Sequence, residues 1–448
     1  MSKILPTIGP ITESRKSISR ILKFSNLVRI NGAHNTLSWH KKISKRIKKN
    51  KGSEILLDLP GVKPRTNNDK KYLIKKNQKV AFFYKKCKIK KILKIKITAP
   101  LPNISKGIKN FSVNDGKYFF RVKKITKNFV IGKSLGSFEL EKKKGINFFN
   151  SVYDEQIQKK MYLSFLKKAR GIKFDAVGLS YVQSEDLVNH IRKFNNNLII
   201  VSKIENIKGL KNIDEISKKS DVVMVDRGDL SAEIGEHKLF PAMQKISKIV
   251  KKNGKPLIIA TENLESMTFK KGITNPTKSE IISIAHSNNL LADRIMLSAE
   301  TAVSRNWINI VKWLDVFLKK INKSSIERKN ENDVFWKAVR EIRNIPLVIF
   351  TKKGYALEKI NETNDRTDLT VFTDSKKVKS FCAFKSNIVC ILIKKFTKSK
   401  SSNFIYNSIK KYKKIIFAKK DKAALIYVAY PRRNSRANTF SIISEKDF

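Results

Sequence analysis

Cysteine is scarce in this chain. Only Cys87, Cys382 and Cys390 occur in 448 residues, and no two of them form a CxxC pair. That excludes a disulfide framework and a cysteine-held zinc site, and it points to a reducing compartment. The five histidines are scattered, so no His-based metal cluster is visible. No apolar run approaches the ~20 residues that a membrane helix needs. The N-terminal MSKILPTIGP has neither the long apolar core nor the small-residue cleavage site of a signal peptide. The expectation is a cytoplasmic protein with no membrane partner.

Acidic residues are also few: 38 Asp and Glu stand against 95 Lys and Arg, a formal net charge of +57. A charge of that size raises a nucleic-acid or anionic-membrane role. The lysines, however, are spread over almost every segment, with no single block or face. Lys, Ile and Asn are all abundant and all have A/T-rich codons, so compositional drift is the plainer account. Aromatic-basic RNA motifs and zinc fingers are absent, which leaves a nucleic-acid partner as the lesser alternative.

What is present is an ordinary apolar fraction, 41%, ample for a large core. The length suggests roughly three domains of about 150 residues. Short apolar strands alternate with helical stretches, the signature of an α/β fold with parallel strands. Strands are expected at Lys3–Ile8, Leu27–Asn31, Ile55–Asp58, Ala176–Tyr181, Leu198–Lys203, Val222–Val225, Leu257–Thr261 and Arg294–Leu297. Eight is the count for a (β/α)8 TIM barrel. Helices are expected at Glu13–Phe24, Trp39–Lys49, Glu155–Ala169, Glu185–Phe194, Pro241–Lys252 and Lys278–Ser287, with one more between Lys203 and Val222.

One connection, Asp58 to Ala176, is too long for a βα loop. Within it Lys88–Thr98 alternates Lys with Ile or Leu, and Lys117–Lys133 carries the β-type runs FFRV and NFVIG. Strict alternation argues for half-exposed strands. The expected division is residues 1–66 and 147–323 for the barrel, 67–146 for an inserted all-β lid domain, and 324–448 for a C-terminal α/β domain. The polar segment at 324–336 marks the last boundary. Beyond it PLVIFT, LTVFT, IVCILI, KIIFA and ALIYVAY restart the alternation, and Lys394–Ser402 is expected to be a flexible loop.

The chemistry gathers in Ile200–Asp229. One apolar run ends in Lys203-Ile204-Glu205, the next in Arg227-Gly228-Asp229. Residues two apart on a strand share a face, so Lys203 and Glu205 point the same way. Two carboxylates suit Mg2+, which keeps waters and borrows substrate oxygens. A lysine beside them could neutralise a transferring phosphoryl group or an enolate oxygen. Backbone N–H groups opening at Gly228 could hold a carboxylate. Spacing alone leaves ordinary salt bridges equally open. Other strand ends carry Arg29, Asn31 and His34, then Asp58 and Arg65, then Thr261 and Glu262, then Ser298–Thr301. Arginine suits bidentate phosphate contact; the hydroxyls could equally be helix caps.

Together, PTIGP, VRINGAHNT, LLDLPGVKPRT, SLGSFELEKKKGIN, IVSKIEN, SDVVMVDRGDLSAEIG, KPLIIATENLESM, NPTKSE and RIMLSAETA resemble the pyruvate kinases. They run from residue 6 to about 302 in that family's order and spacing. The C-terminal region is less similar, though it ends in SRANTFSII. The resemblance implies a barrel with an inserted lid and a C-terminal α/β domain, and phosphoryl transfer from phosphoenolpyruvate to ADP. By motif, Lys203 would stabilise the transferring phosphoryl and the enolate, and Glu205 and Asp229 would bind Mg2+, with Mn2+ as an alternative. Arg29 would hold phosphate with Arg65 near it. Asn31 and His34 would line the nucleotide side. Thr261 would contact the substrate carboxylate and assist protonation, and the Gly228 and Asp229 amides would hold that carboxylate. A homotetramer is also implied.

The departures carry information. K+-dependent members bind K+ through Asn, Ser, Asp and Thr. Here Asn31 and Asp58 remain, Ala33 and Leu59 replace the Ser and Thr, and Lys63 replaces a Glu. K+-independent members resemble this chain at those positions, so Lys63 is expected to substitute for the cation and K+ not to be required. Asp226 stands where the family has a small residue, adding a negative charge beside the metal site. Glu262 and Asn263 replace Gln and Met, and VSRNW follows SAETA. FTKKGYA differs from the family's effector loop at Lys353, Tyr355 and Ala356, so no sugar-phosphate regulation is expected. These changes leave a catalytically weakened family member as an alternative.

Overall fold

The structure is a computed structural model. It describes residues 2–448 except 86, 88, 90, 105–106, 115, 127, 270–274, 322–333, 343–344, 363–367, 395–401 and 428–438. Eight parallel strands close into a barrel: β1 (Lys3–Ile8), β2 (Leu27–Asn31), β3 (Glu54–Asp58), β4 (Ala176–Leu179), β5 (Ile199–Ile204), β6 (Val222–Asp226), β7 (Leu257–Ala260) and β8 (Arg294–Leu297). Each pairs with its neighbours in sequence, and β8 closes on β1 through Lys3–Arg294 to Pro6–Leu297. This is the (β/α)8 barrel expected from the sequence, with further sheets attached.

The strands read as continuous apolar runs because both faces are covered. Alternate residues serve two cores. Val177, Ile200, Val223 and Ile259 face outward to the helices, while Leu5, Leu56, Val201, Met224 and Met296 fill the barrel interior. This period of two also sets which charged residues reach the barrel mouth, because the inward parity continues upward into Arg29, Asp58, Lys203 and Asp226.

Several ends differ from expectation. β4 stops at Leu179, two residues short of Tyr181, whose φ of 54° is incompatible with a strand. β7 stops at Ala260 because Thr261 and Glu262 turn to φ 65° and 52°. The first helix shortens to Arg15–Leu22, since the Ser14 hydroxyl caps the Ser17 amide. The second lengthens to Leu37–Lys48, capped by Thr36 on the Trp39 amide. Pro241 lies inside the first turn of Leu239–Lys252, where a missing N–H costs nothing. The helix expected between Lys203 and Val222 is two, Ile207–Lys211 and Ile213–Lys219, meeting at Asn212. The remaining expected helices run over Glu155–Lys168, Glu185–Phe194 and Lys278–Asn289.

Between β3 and the helix Glu155–Lys168, the described residues form strands and no helix. Six strands make one sheet, in the order Ile146–Phe148, Asn110–Val113, Tyr118–Ile125, Phe129–Ser134, Lys79–Phe83 and Leu93–Lys96. Phe138–Leu140 pairs separately with Tyr72–Ile74. FFRV and NFVIG fall in the sheet as expected, but the Lys–Ile alternation is a strand only over Leu93–Lys96; residues 88 and 90 lie outside the described residues. Phe82, Phe111 and Phe120 pack as a ring cluster. Gly132 makes room for it, because a Cβ there would sit 2.6 Å from the Phe111 ring.

The C-terminal sheet runs Ile388–Leu392, Leu369–Thr373, Leu347–Phe350, Lys422–Tyr427 and Thr439–Ser444, the last antiparallel. KIIFA is not a strand: it closes the helix Ser402–Ile416, because its apolar residues continue a helical face that buries Ile409 and Ile416. The loop expected at Lys394–Ser402 and most of the polar boundary at 324–336 lie outside the described residues. After the helix Lys376–Cys382, Phe384 enters the base of the barrel core, and the Ala383 carbonyl accepts from the Arg294 guanidinium.

Candidate active site

At the C-terminal ends of the barrel strands lies a cavity of about 320 Å3, lined by Arg29, Asp58, Lys203, Asp226 and Thr261 among others. Inward parity delivers each strand residue. Arg29 follows Leu27 on β2 and sits in register with Thr7 of β1. Its Nε and Nη2 donate to Asp58 Oδ2 at 2.9 and 2.6 Å, and its Nη1 donates to Thr7 Oγ1 at 3.1 Å. Asp58 is buried, which by itself would raise its pKa. The Lys203 and Arg29 charges outweigh that and hold it below the usual carboxylate range. Gly178 leaves the space: a Cβ there would lie 2.9 Å from Asp58 Oδ1.

Lys203 and Glu205, two apart at the end of β5, both enter the cavity. The Lys203 ammonium lies 2.8 Å from Glu205 Oε1, 3.4 Å from Asp58 Oδ2 and 3.5 Å from Asp226 Oδ2. Burial alone would neutralise it, but Asp58, Glu205 and Asp226 push its pKa well above that of a free lysine. These are therefore not surface salt bridges. Glu205 Oε2 accepts the Tyr181 amide at 2.5 Å. Its Oε1 is buried and, though near the Lys203 ammonium, accepts no hydrogen bond. Burial raises Glu205 to about 8; Lys203 opposes the rise, while Asp229 and Asp226 add to it.

β6 ends at Asp226 and the chain passes straight into the helix Arg227–Ile234, which brings Gly228 and Asp229 to the cavity. Asp229 is held at about 2: burial favours its neutral form, but Lys63 and Arg65 prevail. Lys63 forms an ion pair with Asp229 Oδ1 and is almost fully buried. Gly145, opposite, leaves room for its chain. Asn31 Oδ1 accepts the Ala33 amide at 3.0 Å, and Asp58 is taken by Arg29 and Lys203. The structure thus places the Lys63 ammonium at Asp229.

The expected carboxylate subsite is already engaged. The Gly228 amide donates to Thr261 Oγ1 at 3.1 Å. The Thr261 hydroxyl lies 3.1 Å from Asp226 Oδ1 and 2.6 Å from the Ala260 carbonyl, either of which can take its proton. The Asp229 amide donates to Asp226 Oδ1 at 3.5 Å, the cap of its helix. Arg65 lines the cavity from the β-insert side, its Nη1 on the Lys143 carbonyl at 3.2 Å. His34 is not brought in: it is exposed on the turn after β2 and does not line the cavity.

Other residues enter that sequence reasoning did not assign. Arg227, beside the assigned pair, turns away from the cavity. Its guanidinium holds the carbonyls of Thr261 and Glu262 and the Asn263 Oδ1, fixing two successive left-handed residues that would otherwise be strained. Asn114 and Lys117 of the β-insert line the cavity, and Lys117 reaches Glu265 at 3.6 Å. They sit in the turn between Asn110–Val113 and Tyr118–Ile125, which gave no signal because only the fold carries that hairpin over the barrel. A divalent metal fits the donor set. Oxygens of Glu205, Asp226 and Asp229 all lie within 4.8 Å of one another, and carboxylates are the ligands hard cations take.

Comparison with known proteins agrees with the barrel fold. Residues 1–311 match the family described as "Pyruvate kinase, barrel domain". A pyruvate kinase of Thermotoga maritima is 26% identical over 470 aligned residues, covering 99% of each chain. One from Trypanoplasma borreli is 29% identical, covering 78% of this chain and 70% of its own length. One from Encephalitozoon cuniculi is 30% identical, covering 70% and 74%.

Proposed function

The chain belongs to the pyruvate kinase family, and from that premise we propose that it transfers a phosphoryl group from phosphoenolpyruvate to ADP, giving pyruvate and ATP in glycolysis. The observation that carries this is Lys203: a buried, charged ammonium held by three carboxylates at the mouth of the barrel. The bond between phosphorus and the enol oxygen breaks, its electron pair stays on that oxygen, and a β-phosphate oxygen of ADP takes the phosphorus. Little covalent work falls to the protein, so catalysis is positioning and charge neutralisation.

Lys203 offsets charge on the transferring group and on the enolate oxygen. Arg29, fixed by Asp58 and Thr7, holds the phosphate, and Arg65 and Asn31 face the nucleotide. Thr261 orients the carboxylate and serves the proton delivered to the methylene carbon as the enolate becomes pyruvate. Glu205 and Asp229 hold Mg2+, which supplies Lewis-acid charge neutralisation when bound. Lys63 is buried and ion-paired with Asp229, an arrangement that supplies fixed positive charge without K+. The active enzyme is a homotetramer in the cytoplasm on this reading.

A coupled assay with phosphoenolpyruvate, ADP and Mg2+ tests the reading, run with and without K+ on the wild type and on Lys203→Met. We expect wild-type turnover in K+-free buffer and a Lys203→Met rate lower by at least about 100-fold, the scale of a lost charge-stabilising group. Wild-type activity no higher than the variant's would sink the enzymatic reading. Collapse of turnover without K+ would sink K+ independence alone. One observation favours a weakened enzyme: Asp226 accepts from the donors expected to hold the substrate carboxylate. A high KM for phosphoenolpyruvate at normal metal affinity would mark that case.

A further inference from the structure

Asp226 is the last residue of β6 and shares its inward parity with Val222 and Met224. It therefore enters the barrel mouth beside Lys203, 3.5 Å from the ammonium. The same carboxylate stands within 4.8 Å of ligand oxygens on both Glu205 and Asp229. A cluster of acids alone would prove nothing. Here, however, Glu205 Oε1 is fully buried, faces the one shared ammonium, and accepts no hydrogen bond. A carboxyl oxygen buried this deeply without a hydrogen-bond donor has room for a further partner, and a hard cation is one that its ionised form takes. Helix geometry adds to this, since Asp226 and Asp229 flank the first turn of Arg227–Ile234 and their side chains reach the same point from one backbone segment.

Resting on the functional reading above, we propose that Asp226 is a third protein carboxylate for the divalent cation, and that cation binding draws it off Thr261 and the Asp229 amide. The contacts give this two consequences. First, three carboxylates bind the cation in the absence of substrate, where a two-carboxylate site depends on substrate oxygens. Second, the Thr261 hydroxyl and the Asp229 N–H, which Asp226 engages, become available to the substrate carboxylate only once the cation is in place. Metal loading and substrate binding are thereby coupled, and the coupling is reciprocal.

The test is titration of the metal-stripped full-length protein with Mn2+ alone, following free Mn2+ by electron paramagnetic resonance with neither phosphoenolpyruvate nor ADP present. Asp226→Asn keeps a side chain that can cap the helix and meet Thr261, while removing the charge; Asp226→Ala removes the whole group. We expect each to weaken Mn2+ binding by about tenfold or more, at the low end of what even an outer-shell partner contributes to a metal site. Melting curves report whether each variant is folded, and the folded one decides the result. Mn2+ affinity equal to the wild type's in a folded variant, with Asp229→Asn losing it, would overturn the proposal and leave Asp226 as a partner of Thr261 only. Wild-type protein that takes up no Mn2+ without substrate would overturn it as well. Because no arm uses phosphoenolpyruvate, failure here is separable from failure of the pyruvate kinase reading, which the coupled assay alone decides.

Discussion

Glu205 shows how one carboxyl can report the state of the whole site. Burial and the Asp229 and Asp226 charges hold its proton up to about 8, against the opposing pull of Lys203. A cation takes only the carboxylate, so loading must expel that proton. At pH 7 we expect Mg2+ or Mn2+ addition to weakly buffered protein to release close to one proton per site. In Glu205→Gln the release should vanish. A wild-type titration with no proton release would show that Glu205 is already ionised. Lys203 obeys the same logic in reverse, since its three acidic neighbours keep it charged despite burial. Both residues could be named from their spacing in the sequence, but their burial could not.

The helix Arg227–Ile234 joins the site to the β-insert. Its N-terminal turn supplies Gly228 and Asp229, and its last turn carries Glu233, which is buried where the chain returns from the insert to the barrel. Ser151 Oγ donates to Glu233 at 2.8 Å and Tyr153 Oη at 3.0 Å. Burial raises Glu233 to about 7 from an ordinary 4.5. Between those values the folded protein holds a proton that the unfolded chain has released, so stability must fall as pH rises through that window. The contribution is complete below about 4.5 and lost as pH passes about 7. Thermal melts of Glu233→Gln should lose that part of the slope, and an unchanged slope would assign it to another group. Element types were legible here because apolar periodicity is local. Their ends were not: the break at Asn212 and the left-handed backbone at Tyr181, Thr261 and Glu262 are set by what each segment packs against.

Across the whole molecule, the barrel is closed at its base by the C-terminal unit. Phe384 is fully buried among Leu5, Leu27 and Met296. The adjoining Arg294 also donates to the Ile4 carbonyl at 3.0 Å. Ser380 and Lys379 reach Glu54 at 2.9 and 3.2 Å. Phe384→Ala should therefore cost about 3–5 kcal/mol, the usual loss for a buried aromatic in a core, seen as a lower denaturation midpoint. A change below about 1 kcal/mol, the scale of a surface substitution, would mean that the base is not sealed by this contact. The high basic charge has no comparable structural focus, since its lysines are scattered over the described surface.

The sequence by itself determined the eight strands, the β-rich insertion, the family and most of the strand-end residues, because strand and helix periods are written in local order. It also marked Asp226 as foreign beside Arg227-Gly228-Asp229. Only the tertiary structure decided where that charge goes. Barrel closure aligns the inward faces of β2, β3, β5 and β6, so Arg29, Asp58, Lys203 and Asp226, up to 197 positions apart in sequence, meet in one buried layer. In that layer Asp226 faces both the barrel interior and the carboxylates of Glu205 and Asp229, a convergence that side-chain parity permits and only closure of the sheet produces.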